Sequence, residues 1–257
     1  MANELGTREQ PGRENMRIFL EPIAAASILG LFAFAGATWV IGAQYAGWFS
    51  GGMLPGAFLA VFGGIAQILA AMWAYKNRDG LMTAFHGVWG AFWLAFGIQH
   101  FIYSMGVLPN GTEAALATSV GYWFVPMAFI SAFCAVAALS TNLALFSVMT
   151  VMTAGSVATA IGVVSASAGT LEVAGYLLMI SAFLAWYTAG AMVLEDAFGY
   201  KILPVGEFRM SAEEQEVSAG IGEPGVLHGQ WGAFNRKRVH QRISDVGRRG
   251  PSPPVEA

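Results

Sequence analysis

A single cysteine, Cys134, stands in this chain of 257 residues. No intrachain disulfide can form, and its place in an apolar run points to burial as a small hydrophobe. Charge is equally scarce: Asp, Glu, Lys and Arg supply 11% of the residues, against about 25% in ordinary soluble domains. Between Ile18 and Leu194 the charged residues are Glu21, Lys76, Arg78, Asp79, Glu113 and Glu172, each at or near the end of an apolar run. With no Lys or Arg deep in any run, nothing waits there as a fixed cation, which disfavours a multiply charged anion as ligand. A metal-ligand spacing, a nucleophile motif and a phosphate loop are also missing, so the reading is not an enzyme, with no metal and no cofactor. No basic stretch with interleaved aromatics suggests nucleic acid as a partner.

What the chain has in quantity is apolar sequence. It is 56% hydrophobic, with a mean hydropathy of +0.55. Crossing a bilayer as a helix takes about 20 mostly apolar residues, and six runs meet that length: Ile18 to Ala43, Met53 to Tyr75, Leu81 to Met105, Val120 to Leu139, Leu143 to Ser165, and Glu172 to about Asp196. The expected fold is all-α, a polytopic bundle of six transmembrane helices in the lipid bilayer of the cell membrane. Residues 1–17 form a polar N-terminus, 18–200 the transmembrane domain, and 201–257 a polar tail with an acidic stretch (Glu207 to Glu223) before a basic one (Arg236 to Arg249). Such a tail has little to bury and reads as solvated and disordered.

Arg8, Arg13, Arg17, Lys76, Arg78 and Lys201 fall before the first run, between the second and third, or after the sixth, while the opposite loops hold neither Lys nor Arg. By the positive-inside rule both termini are cytoplasmic. Pro22 suits a first helical turn, Pro126 is expected to bend the fourth span, and Glu172 stands where a helix N-terminus favours an acid.

Two spans carry candidates for a solute path. On the second, Gly63 and Gln67 share a face; Gln67 either bonds a neighbouring helix or lines a path. On the third, His86, Trp89, Trp93, Phe96 and His100 fall in one helical sector. The two histidines are then about 21 Å apart along the axis, near opposite mouths. His100 reads as an ordinary polar end-residue, whereas His86, able to change charge near neutral pH, stays open as a functional residue.

The order FGGIAQ at Phe62 to Gln67, YK at Tyr75 and Lys76, TAF at Thr83 to Phe85 and GAFW at Gly90 to Trp93 resembles the acetate uptake transporter family, also called GPR/FUN/YaaH. Ala174-Gly175-Tyr176 and FGYKILPVGE at Phe198 to Glu207 are similar to its closing motif. The resemblance implies a six-helix subunit in a homo-hexamer, each protomer passing acetate and related small carboxylates, often with protons. It implies a constriction of bulky side chains from spans one, three and five: Trp89, Gly30 or Phe32, and Met152. The chain departs from the family at Glu21-Pro22-Ile23-Ala24-Ala25-Ala26, where Asn-Pro-Ala-Pro-Leu-Gly is usual, and by one residue inserted between TAF and GAFW, where His86 lies.

A carboxylate sheds its water only if donors replace it. Gln67, Thr153 and backbone N–H groups near Pro22 are the candidates, with Glu21 and Pro22 at the entrance and His86 or Glu21 exchanging a proton. A channel for a small neutral solute such as urea, an amide or ammonia is the competing reading. A non-transporting membrane protein whose tail is the active part is a third.

Overall fold

The computed structural model describes residues 24–49, 54–106 and 112–208, without the side chains of 54, 55, 113 and 114. Glu21, Pro22, the polar N-terminus and the tail beyond residue 208 lie outside the described residues. Among the described residues seven α-helices follow in order: α1 (Ala26–Tyr45), α2 (Leu54–Phe58), α3 (Ala66–Lys76), α4 (Gly80–Ser104), α5 (Thr112–Ala138), α6 (Leu143–Val164) and α7 (Ala168–Phe198). A π-helical stretch, Leu59–Ile65, joins α2 to α3, so these three pieces make one span. Among the described residues six helices are thus long and apolar enough to cross a membrane, as the sequence led us to expect. This is a multi-pass membrane protein.

Successive spans pack on their chain neighbours, and α7 closes on α1. The result is a ring in the order α1, second span, α4, α5, α6, α7, with α4 also touching α1. Because lipid is as apolar as leucine, close backbone contact through small residues does much of the joining. A Cβ on Gly97 would collide with the Ala60 nitrogen, and one on Gly56 would lie 2.9 Å from the Gly97 oxygen. Gly42 and Gly175 make the matching contact between α1 and α7: a Cβ on Gly42 would lie 2.8 Å from the Gly175 oxygen.

Three boundaries differ from expectation. The first helix begins at Ala26 after two non-helical residues, later than Ile18, where the apolar run starts. The fourth span begins at Thr112 and not at Val120; the strong helix formers Ala114 to Ala117 carry it outward past the polar Thr118 and Ser119. The sixth begins at Ala168, where the Ser167 hydroxyl caps the Thr170 N–H. Glu172 is therefore one turn inside that helix.

At the other end, the start of α6 is capped from two sources. Asn142 Oδ1 accepts from Leu145 N at 2.9 Å, while the Leu143 and Ala144 N–H groups donate to Gly206 O (2.7 Å) and Val205 O (3.0 Å). Three of the four N–H groups that a helix start leaves unpaired are thereby satisfied. Tyr187 Oη also donates to Pro204 O at 2.7 Å, and Lys201 pairs with Glu207. So residues 201–207, read as the beginning of a solvated tail, are docked on the bundle.

Asp79 caps α4, accepting from Met82 N at 3.0 Å. Burial raises its carboxyl above the ordinary 3.8, with the Met82 and Leu81 N–H groups pulling the other way. The folded chain therefore holds this proton more tightly than the unfolded chain. The associated stability is full below the ordinary value and is lost as pH rises through the folded one. Asp79→Ala should cost about 1 kcal/mol of stability, and Asp79→Asn almost none. Melting curves between about pH 3 and pH 6 should show the wild type losing ground to Asp79→Asn as pH rises.

Candidate functional site

The interior of the ring is filled by aromatic side chains, most of them from one face of α4. Met82, Phe85, His86, Trp89, Trp93 and Phe96 are all buried there, because positions three and four apart fall on one side of a helix. Rings follow one another along this face. Phe85 meets Phe34 of α1 at 5.0 Å between centroids, Phe34 meets Trp89 at 6.0 Å, Trp89 meets Trp93 at 5.8 Å, Trp93 meets Phe96 at 5.8 Å, and Phe96 meets His100 at 4.0 Å. The column spans about 22 Å of helix axis. On the α5 side Phe124 closes it, 6.3 Å from Trp89 and 5.1 Å from Phe92; Met149 and Met152 of α6 are fully buried as well.

Trp89 is pinned. Its Nε1 donates to Ser131 Oγ of α5 at 3.0 Å, and both residues are wholly buried. Ser131→Ala would leave that indole N–H buried without an acceptor, at a cost of about 1–3 kcal/mol. A drop in melting temperature in detergent, larger than for Ser147→Ala, whose hydroxyl is exposed, is the expected measurement.

Above the column opens a cavity of about 530 Å³. Phe96 and Val120 line it together with Tyr45, Gln99, His100, Tyr103 and Ser167, so an apolar bowl carries a few polar groups, as ligand cavities commonly do. His100 Nδ1 lies 3.0 Å from Phe96 O; a carbonyl only accepts, so Nδ1 carries the hydrogen. Tyr45, at the end of α1, faces this vestibule.

Toward the opposite end, Gln67 and His86 meet. Gln67 Nε2 donates to Gly63 O at 2.8 Å, and Gln67 Oε1 lies 3.4 Å from His86 Nδ1. Gly63 itself is in the π-helical stretch, in which Ala66 N reaches back to Val61 O; such stretches often mark functional positions. Both side chains are fully buried.

The structure brings Gln67, His86, Trp89, Trp93 and Met152 into the interior. Thr153 is not among them. Its hydroxyl donates to Met149 O of its own helix, and it lines a separate apolar groove of about 320 Å³ with Val125, Phe129 and Val157. Phe32 is half-buried at the edge of the core; Phe34, two residues on, is the first-span ring that meets Trp89. Two interior hydroxyls were not singled out in the sequence. Thr38 Oγ1 and Ser156 Oγ are buried without a hydrogen-bond partner, as is Trp93 Nε1, and an isolated hydroxyl inside an apolar span was the signal for the first two. Among the described residues no three His, Cys, Asp or Glu side chains gather as a metal site.

A family model described as the GPR1/FUN34/yaaH family matches residues 6–210. The chain belongs to that family. The succinate-acetate/proton symporter SatP of Escherichia coli strain K12 is 32% identical over 190 residues, covering 72% of this chain and 96% of that one. The acetate transporter protein patA of Aspergillus clavatus is 25% identical over 199 residues, covering 73% of this chain and 80% of its own. Among solved structures, the bacterial acetate channel SatP superposes with a TM-score of 0.66 at 25% identity, covering 72% of this chain and all of that one. These relatives are transporters and channels by name, and this chain shares the fold of the solved SatP channel.

Proposed function

We propose that this protein carries acetate and related small monocarboxylates through each subunit, together with protons. The observation that carries the reading is the vestibule standing on a closed aromatic column. A path sealed by Phe34, Trp89, Trp93, Phe96 and Phe124 excludes water and bulky solutes, and it admits a two-carbon acid only as side chains give way. Inside, Thr38, Ser156 and Trp93 hold polar atoms with no partner. Each costs about 1–3 kcal/mol while it is unmade, and a carboxyl group passing through can bond to them.

Path residues in this reading are Gln67, His86, Trp89, Trp93, Phe34 and Met152, with Glu21 and Pro22, outside the described residues, kept as entrance candidates. Both termini face the cytoplasm, which puts the vestibule outside. The chain assembles as a homo-hexamer through faces that leave Phe58, Phe62, Trp123, Phe129 and Phe133 exposed on a single subunit; native mass spectrometry from mild detergent tests the number.

The deciding experiment is uptake of labelled acetate into proteoliposomes, with and without an inward proton gradient and with protein-free liposomes subtracted. Acetate should enter faster under the gradient, and propionate should compete. Urea uptake indifferent to both would instead establish a neutral-solute channel.

A further inference from the structure

We propose that His86 is the proton acceptor of the transport path, a role that rests on the carboxylate reading above and gives it a chemical step. The tautomer of this ring follows from its neighbours. A backbone carbonyl only accepts, so the bond from Gln67 Nε2 to Gly63 O fixes the amide with Oε1 turned to His86 Nδ1. That oxygen also only accepts, so Nδ1 carries the hydrogen. The Nε2 lone pair is left facing away from Gln67.

Nε2 has no hydrogen-bond partner. The imidazole lies in a notch over Gly30 of α1: a Cβ built there would fall 2.5 Å from both Cδ2 and Cε1, with Nε2 nearer still. Glycine at position 30 therefore makes room for this ring. Among the described residues His86 is also the only His, Asp, Glu, Lys or Arg with a fully buried side chain. A base with a free lone pair, buried beside the aromatic column, is unusual for a packing residue, because an unmade buried hydrogen bond is costly.

The elements around it bring few other titratable groups. α1 offers Tyr45 at its far end; the second span, Tyr75 and Lys76 at its end; α5, Glu113 at its start, Tyr122 and Cys134; and α4 itself, Asp79, His100 and Tyr103. Asp79 is seven residues before His86, on the same face and about 10 Å along the axis.

The step balances simply. In the notch Nε2 is packed on Gly30 and closed to a ligand, so the neutral ring first turns out of it; a carboxylic acid then presents its O–H to Nε2, the O–H bond breaks, an Nε2–H bond forms, and a carboxylate and an imidazolium result. Back in the notch the new N–H would have no acceptor, so the charged ring stays out of it beside its carboxylate. The proton then leaves Nε2 for water at the α3–α4 end, where Asp79 stands, and the neutral ring returns to the notch.

Two experiments test this on the full chain. In proteoliposomes loaded with a pH-sensitive dye, wild-type acetate uptake should rise in acid and acidify the lumen in step. His86→Gln should lose the acid stimulation and the linked acidification, leaving acetate flow that carries current. A His86→Gln protein with the wild-type pH profile and proton-to-acetate ratio overturns the proposal.

The second needs no substitution at position 86. With His100, His228 and His240 changed to Gln, His86 is the sole histidine of the four, and solid-state nitrogen NMR of the ¹⁵N-labelled protein in lipid reads its ring directly. A protonated Nδ1 with a bare Nε2 at neutral pH, gaining a second N–H on acidification, supports the assignment. The opposite tautomer, or a ring that never takes the second proton, overturns it. A wild type that carries no acetate under either condition overturns the carboxylate reading instead, and the NMR result still decides whether Nε2 binds a proton.

Discussion

Trp89→Ala should both unseal the column and weaken the fold. Removing a wholly buried indole costs about 3–5 kcal/mol, as large-to-small changes of aromatic core residues do, and it also strands the Ser131 hydroxyl that now accepts its N–H. Phe34, Trp93, Phe92 and Phe124 all rest against this ring, so its loss opens a gap where four rings now converge. Uptake should then extend to larger carboxylates such as benzoate, which compete poorly with acetate in the wild type. Trp89→Phe keeps one ring while losing the hydrogen bond and the second ring of the indole, and it should lie between the two. Competition uptake beside melting curves separates the effects: a Trp89→Ala protein that melts early yet discriminates as the wild type does would place the constriction elsewhere.

The second large effect is a pair of opposite signs from one substitution type. Gly97→Ala drives a methyl into the backbone at Ala60 and Gly56. Backbone cannot change rotamer to make room, so the helices must part, at a cost of about 1–3 kcal/mol or more. Gly190→Ala is the contrast. It lies inside α7, where an added Cβ meets nothing within 4 Å, and replacing an interior helical glycine gains about 0.5–1 kcal/mol. Thermal melting in detergent should therefore shift down for Gly97→Ala and up for Gly190→Ala.

The spans were legible because the signal for a membrane helix is length and apolarity, which the six runs carry without ambiguity. Boundaries were less so. Ser167 caps α7 from within a string of small polar residues that also reads as loop, and only the bond to Thr170 N distinguishes the cap. The sector of α4 from His86 to Phe96 could be read from spacing alone, since it depends on one helix and a fixed period. Everything requiring a second helix was harder. Ser131 as the partner of Trp89, Phe34 in place of Phe32, and Gly30 as the seat of His86 depend on which helices meet and at what rotation, and apolarity all round leaves that rotation unspecified. Thr153 shows the same limit, for it is one residue from Met152 and faces the outer groove.

The two reciprocal glycine contacts, Gly42 with Gly175 and Gly56 with Gly97, sit near the same end of the bundle, the end of the vestibule. Contacts of backbone on backbone have no side chains to yield, so those two seams act as fulcrums. The α4–α5 seam at that end is filled by side chains, which can swing. Gly162 of α6 is set against the Leu171 backbone of α7 in the same way, so any widening of this mouth is a swing of α5 away from α4, at the seam where the cavity already lies.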